Sequence, residues 1–339
     1  MVNQVTSYLE SIGMWTPENK PKYDFRLSSE VFAVSERQID QLEGFTENLR
    51  NFFETKTGKF PVFCKVDVMI DIKDDLKIAE IDGLNKRAFG YAILERKIAE
   101  MFGHEPSRFF SGVENSLKQV VGSKKLFVVV PGREKYYKYG FNILVEALRG
   151  IGVDAQWGHE KESAKFLGGS NPSEVILLDY PKTDHAKLDE MLRKENWDVL
   201  IPNEPFFSSK ANMVDFDNEL VPQTLKLNHV VTIPFEKYVL KHVGRSGCKG
   251  IYFHDQDQDL NPDECIVQEF VQGQEFEFSY FEGSTLVRSG SWRVRLIATL
   301  DLKEFRVVDI DVTARQDRLV HGAVDSIQVA GVRGRSYRE

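Results

Sequence analysis

Apolar residues recur along this chain with two periods, and the change of period divides it. Between residues 35 and 57, Ile39, Leu42, Phe45, Leu49, Phe52 and Phe53 return every three or four positions and so line one face of a helix. Ser35 followed by Gln38 has the spacing of a capping box at its start. A short helix is expected over 7–14, so residues 1–59 read as a helical segment. The period then falls to two. Residues 63–71 and 76–82 alternate like strands, and Asp74-Asp75 between them gives the turn of a hairpin. A loop over 83–90 and a helix over 91–102 complete a unit spanning 60–123.

From 124 to 230 strands and helices alternate. Apolar runs at 125–131, 153–157, 175–179 and 197–202 predict strands. Residues 138–150 predict a helix with Phe141, Leu144, Val145 and Leu148 on one side, and 184–195 predict another. That alternation implies a parallel sheet, where ligands meet the carboxyl ends of the strands. Here those ends carry Arg133 and Asn203 as candidate substrate contacts, though a solvated loop arginine accounts for Arg133 more simply. Residues 207–236 read as linker and helix. In the last unit, 231–339, buried strands are expected at 238–240 and 266–271, and period-two strands at 275–281, 290–297 and 305–313. Residues 320–331 read as a mobile loop leading into a frayed terminus. The fold class is therefore α+β with an α/β unit inside it.

Composition narrows the partners. The chain has 339 residues, with 42% hydrophobic and 28% charged positions, which suits a protein of two or three domains with buried cores. A net charge of −8 speaks against an extended nucleic-acid surface, while local basic loops remain able to hold phosphate. No apolar run reaches the length of a membrane helix, and the start of the chain lacks a signal peptide. Cys64, Cys248 and Cys265 are isolated, with no disulfide or zinc spacing, so a reducing cytoplasm is expected.

Two stretches carry candidate chemistry. In the first, the strand Tyr238-Val-Leu-Lys241 enters a loop containing Gly244, Arg245, Ser246 and Gly247. Glycines let backbone N–H groups close on an oxyanion, and Lys241 beside them can meet phosphate as a point charge. A plain hairpin connection accounts for the same glycines. Downstream, Gln268-Glu269-Phe270-Val271 form a strand end whose backbone could read an adenine edge, and Glu275 could accept from ribose hydroxyls. In the second stretch, Asp67, Glu80 and Asp82 fall on one face of the hairpin, because side chains alternate along a strand. Converging carboxylates suit a hard cation such as Mg2+; scattered acids on a solvated face are the alternative.

Together these stretches resemble the ATP-grasp superfamily. Its "VLK" strand, glycine loop and "E-x-aromatic-aliphatic-x-G-x-E" hinge match 238–250 and 268–275, with Gln268 in place of the first Glu. Lys65-Val-Asp67-Val-Met-Ile with Ala-Glu80-Ile-Asp82-Gly is similar to the "R-x-D-x-M … x-E-x-N" hairpin of D-alanine–D-alanine ligases and glutathione synthetases. Lys65 stands for Arg and Asp82 for Asn. The hairpin precedes the nucleotide strands, an order that resembles the circularly permuted branch, eukaryotic glutathione synthetase and glutathionylspermidine synthase-like proteins. The resemblance covers roughly 60–95 and 235–320.

It implies a permuted ATP-grasp fold with a Rossmann-like substrate domain over 124–230. It also implies ATP bound at 241–275, and Mg2+, with Mn2+ as a substitute, on Asp67, Glu80 and Asp82. Lys210 or Lys226 would be the second ATP lysine. Lys65, Arg293 and Arg315 would stabilise charge on the transferred phosphoryl and acyl-phosphate groups. The implied reaction is ADP-forming ligation of a small-molecule or peptide carboxylate to an amine. A phosphotransferase on the same fold, or a nucleotide binder that has lost turnover, are the alternatives. The acid, the amine and the oligomeric state are not legible from these residues.

Overall fold

The computed structural model of the chain describes residues 2–14, 25–83, 88–130, 138–159, 174–177, 190, 198–201, 204–230, 237–244, 250–253, 260–282, 285–317, 320 and 325–334. Arg133, Asn203, Arg245, Ser246 and Gly247 lie outside them, as does the expected helix over 184–195 apart from residue 190. The described residues form an α+β protein with three sheets.

In chain order the helices used below are α1 (Val2–Ser11), α2 (Glu36–Thr57), α3 (Ala88–Met101), α4 (Val113–Val121), α5 (Lys138–Gly150) and α6 (Asn212–Asp215). The strands are β1 (Phe25–Val34), β2 (Phe63–Ile70), β3 (Leu76–Asp82), β4 (Leu126–Val130), β5 (Ala155–His159), β6 (Glu174–Leu177) and β7 (Val199–Ile201). They continue with β8 (Thr224–Lys226), β9 (Tyr238–His242), β10 (Ile251–Tyr252), β11 (Cys265–Glu269), β12 (Glu275–Glu282), β13 (Thr285–Asp301), β14 (Arg306–Arg315) and β15 (Ser326–Arg333).

The large sheet has the order β12-β1-β15-β14-β13-β2-β3, and β12 also pairs with β13. The long β13 permits both contacts: β12 runs beside its first half and β2 beside its second. The hairpin β2–β3 thus lies in the same sheet as β13 and β14, more than two hundred residues away. One face of this sheet is apolar. Val66, Val68, Leu296, Ala298, Val312 and Val329 pack there against Ile39, Leu42, Phe45, Leu49 and Phe53 of α2. The expected capping box starts that helix: Ser35 Oγ accepts from Gln38 N–H, and Gln38 Oε1 accepts from Ser35 N–H. Part of the other face is covered by α3, which sets Tyr91, Leu94 and Ile98 against Phe25 and Leu27 of β1.

Two expectations are corrected here. The segment 1–59 is not wholly helical: β1 is a ten-residue strand within it, parallel to β15. Its burial alternates at Phe25, Leu27, Phe32 and Val34, with a register shift between Leu27 and Val31 that obscures the period. The expected mobile loop over 320–331 contains most of β15, an interior strand hydrogen-bonded to β1 on one side and β14 on the other. Gly331 there is required by close packing, since a Cβ would lie 2.6 Å from the carbonyl oxygen of Ile310.

The second sheet, β5-β4-β6-β7, is wholly parallel, as the alternation over 124–230 predicts. The third, β10-β9-β11-β8, is antiparallel and carries the Lys241 strand. The linker expected over 207–236 contains α6 and the short strand β8. No helix among the described residues is long and apolar enough to cross a membrane.

Candidate functional site

The site grows from an irregularity in the β2–β3 hairpin. Lys65 lies opposite Asp82 and Asp67 opposite Glu80, but Val68 then pairs with Ile78, leaving Ala79 as an extra residue. A bulge of this kind releases a backbone group from the ladder. The Ala79 carbonyl instead accepts from Lys241 Nζ at 2.8 Å, which joins the small antiparallel sheet to the large one. The acidic hairpin and the Lys241 strand, separated by over 150 residues, are therefore in contact.

Around that contact, charges alternate. Lys65 Nζ lies 3.1 Å from Asp67 Oδ1 and 3.7 Å from Asp82 Oδ2. Arg295 Nη1 donates to Asp67 Oδ2 at 2.7 Å. Lys210 Nζ is 3.3 Å from Glu80 Oε1. Asp67 is 2% exposed, and Lys65 and Arg295 lie against its buried carboxylate. Burial works against the Lys65 ammonium, and Asp67, Asp82 and Glu80 outweigh it, holding the group above the ordinary lysine range. Burial, with Asp82 adding to it, pushes the Cys64 thiol well up, so it is no nucleophile.

The structure thus brings Lys65, Asp67, Glu80, Asp82, Lys210 and Lys241 together. It also supplies Arg295, where the resemblance had pointed to Arg293. Register decides: Arg295 lies opposite Met69 and reaches diagonally to Asp67, whereas Arg293 lies opposite Glu275 and pairs with it at 2.9 Å. Of the two candidate upstream lysines, Lys210 meets the hairpin, while Lys226 is exposed on β8.

The remaining candidates line the neighbouring strands. Glu275 and Arg293, with Ile72, Gln272, Gly273 and Gln274, bound an open recess of about 440 Å³. Arg293 also donates to the Gln316 carbonyl, and Arg315, opposite Arg293 in the ladder, pairs with Asp317 at 3.5 Å. Gln268 is buried and donates to Thr224 Oγ1, which ties β11 to β8. Phe270 N–H is donated to the Lys237 carbonyl, Phe270 packs edge-on against Phe253, and Val271 and Glu269 lie beside it. Gly244 N–H donates to His242 Nδ1 at the root of the glycine loop.

The donor chemistry of Asp67, Glu80 and Asp82 suits a hard divalent cation. Their surroundings do not: Lys65, Lys210 and Arg295 already match the three carboxylates, and a metal there would face three cations within a few ångström. Among the described residues no group of three or more His, Cys, Asp or Glu is arranged to hold a metal ion. In this conformation the set does not fit a resident metal.

No protein-family profile matches the chain, and no curated protein matches it. A crystal structure named "Putative gamma-glutamylcysteine synthetase", from Methylobacillus flagellatus KT, is similar at a TM-score of 0.41 and 12% identity, over 84% of each chain. A likeness that low transfers neither fold nor activity.

Proposed function

We propose that this chain is an ATP-dependent carboxylate–amine ligase, built as a circularly permuted ATP-grasp protein. The observation that carries the reading is the Lys241–Ala79 contact, which sets the Lys241 strand of one sheet against the charged hairpin of another. A triphosphate between the two sheets would meet Lys241, Lys210 and Lys65 within one cleft, with Arg295 behind them. That density of fixed positive charge stabilises a phosphoryl group in transit without reorganisation.

In the reaction, the acid substrate's carboxylate oxygen attacks the γ-phosphorus while the bond to the ADP oxygen breaks. The product is an acyl phosphate. The amine then attacks the acyl carbon, phosphate leaves, and the amine nitrogen gives up a proton. On this reading Lys241 and Lys210 hold the phosphates, and Lys65 and Arg295 face the transferred group. On the same reading Glu275, half-exposed beside the recess, would take the ribose after parting from Arg293.

Calorimetry with ATP tests the site. Loss of a charge-assisted contact in Lys241→Met costs about 1.5–3 kcal/mol, which is roughly one to two decades in affinity. A folded Lys241→Met protein with wild-type ATP affinity would refute the site. For the reaction, a screen of amino acids, small peptides and polyamines with ATP and hydroxylamine should yield ADP, phosphate and an acyl hydroxamate. ADP with a stable phosphorylated product and no hydroxamate would mark a phosphotransferase instead.

A further inference from the structure

We propose that Arg293 and Arg315 form an anion site for a second carboxylate of the acid substrate, so that the acid is a dicarboxylate or a short peptide carrying one. The inference rests on the ligase reading above, which puts the reacting carboxylate at Lys65 and Arg295. It starts from a cross-strand pair that by itself weakens the sheet. Arg293 on β13 lies directly opposite Arg315 on β14. Like charges facing each other in a ladder are destabilising. Each arginine is offset by an acid near the surface. Glu275 lies 2.9 Å from Arg293 with its side chain 45% exposed, and Asp317 lies 3.5 Å from Arg315 with its side chain 53% exposed. Ion pairs so open to water contribute little, so an incoming anion can displace either acid.

Register fixes where the two arginines stand. Residues two apart on a strand share a face, so Arg293 is on the face of Arg295, and Arg315 is on the face of Thr313, the residue opposite Arg295. The pair therefore lies one row beyond Arg295, about 7 Å along the strand. In that row Glu275, Arg293 and Arg315 belong to the neighbouring strands β12, β13 and β14. Adjacent strands are about 4.8 Å apart, so Glu275 and Arg315 flank Arg293 with about 10 Å between them. A ribose on the Glu275 flank leaves the Arg315 flank to the acid. Once Glu275 turns to the ribose, Arg293 gives up that partner, and two guanidinium forks face the same group. Their planar donors match a carboxylate through paired hydrogen bonds. Arg293 also bounds the open recess, so the site is reached from solvent. A monocarboxylate fills the reacting position alone, whereas a dicarboxylate spans both rows.

The test compares acids of matched length. Calorimetry first measures AMP-PNP binding. It then follows succinate, glutarate, adipate and pimelate, and the monocarboxylates of the same chain lengths, in the presence of AMP-PNP. At least one dicarboxylate should bind about tenfold more tightly than its monocarboxylate. Arg315→Met should bring that dicarboxylate down to the level of the monocarboxylate and leave the monocarboxylate unchanged. Should the Met variant not fold, Arg315→Gln gives the same comparison. The absence of any dicarboxylate preference in wild type, or a preference that survives in the folded variant, overturns the proposal. Weaker AMP-PNP binding in the variant, with dicarboxylate affinity intact, assigns Arg315 to the nucleotide and overturns it too. A preference that depends on Arg315, in a protein that does not bind AMP-PNP, upholds the anion site and sinks the nucleotide reading instead.

Discussion

At the scale of single residues, most of the chemistry here consists of charges buried in compensated groups, and one of them is only partly compensated. Asp309 of β14 is 1% exposed, and its carboxylate lies 3.5 Å from Arg96 Nη2, the same nitrogen that clamps both oxygens of Glu114. Burial raises Asp309 to about 7; Arg96 works against that rise, while Glu114 and Asp311 add to it. An unfolded aspartate titrates at about pH 3.9. Between those values the folded protein holds a proton that the unfolded chain lacks, so this group's contribution falls as pH rises from about 4 to about 7 and is flat above. The fall runs at about 1.4 kcal/mol per pH unit inside that window. Asp309→Asn should therefore flatten the wild-type decline of the urea midpoint over the same range. Parallel pH profiles for the two proteins would sink this assignment. The same scale shows where sequence stops. Alternation placed Asp67, Glu80 and Asp82 on one face, and the resemblance put Arg293 rather than Arg295 beside them. It could not say that Arg295 would meet Asp67, because that depends on an inter-strand register fixed by neither strand alone.

At the scale of elements, helix starts were legible and close approaches were not. The Ser35–Gln38 box marks α2 to the residue because it is a local device. The crossing of α3 and α5, where Gly90 meets Gly140, depends on one of these two glycines and not the other, and local pattern singles out neither. A Cβ on Gly90 would lie 2.0 Å from the Gly140 carbonyl oxygen, a backbone atom that cannot step aside. A Cβ on Gly140 would rest 3.5 Å from the Tyr91 ring, an ordinary contact. The two substitutions should therefore differ in sign. Gly90→Ala forces the helices apart and should destabilise by about 1–3 kcal/mol, the usual range for overpacking. Gly140→Ala should be neutral or stabilising by up to about 1 kcal/mol, since alanine loses less backbone freedom than glycine in a helix. Thermal denaturation of both variants reads the contrast, and equal midpoints would mean the crossing is looser than the structure has it. The missed strand β15 has a related origin. Gly331 in a short apolar run reads as a breaker, yet it is there because Ile310 passes too close for any side chain.

At the scale of the whole molecule, the large sheet is assembled from both ends of the chain. β1 comes from residues 25–34 and β15 from 326–333, and they lie side by side in parallel. Parallel neighbours so far apart leave no local signal, because nothing in either strand's alternation names its partner. The consequence is testable by truncation. β15 is interior, and its Ile327, Val329 and Val332 are buried. Removing residues 326–339 would strip the ladder from β1 on one side and from β14 on the other. It would also expose the apolar face that packs on α2. β14 in turn pairs with β13, which positions Arg293 and Arg295, so the damage would reach the charged hairpin. By contrast α1 packs on α3 through the buried Val5 and Leu9, and among the described residues it is part of no strand ladder. Removal of residues 1–14 should therefore leave a cooperative thermal transition at a lower midpoint. Removal of 326–339 should abolish the cooperative transition and the near-ultraviolet circular dichroism of the packed aromatic residues. A truncated 1–325 chain that still melts sharply would show that β15 closes a sheet already stable without it.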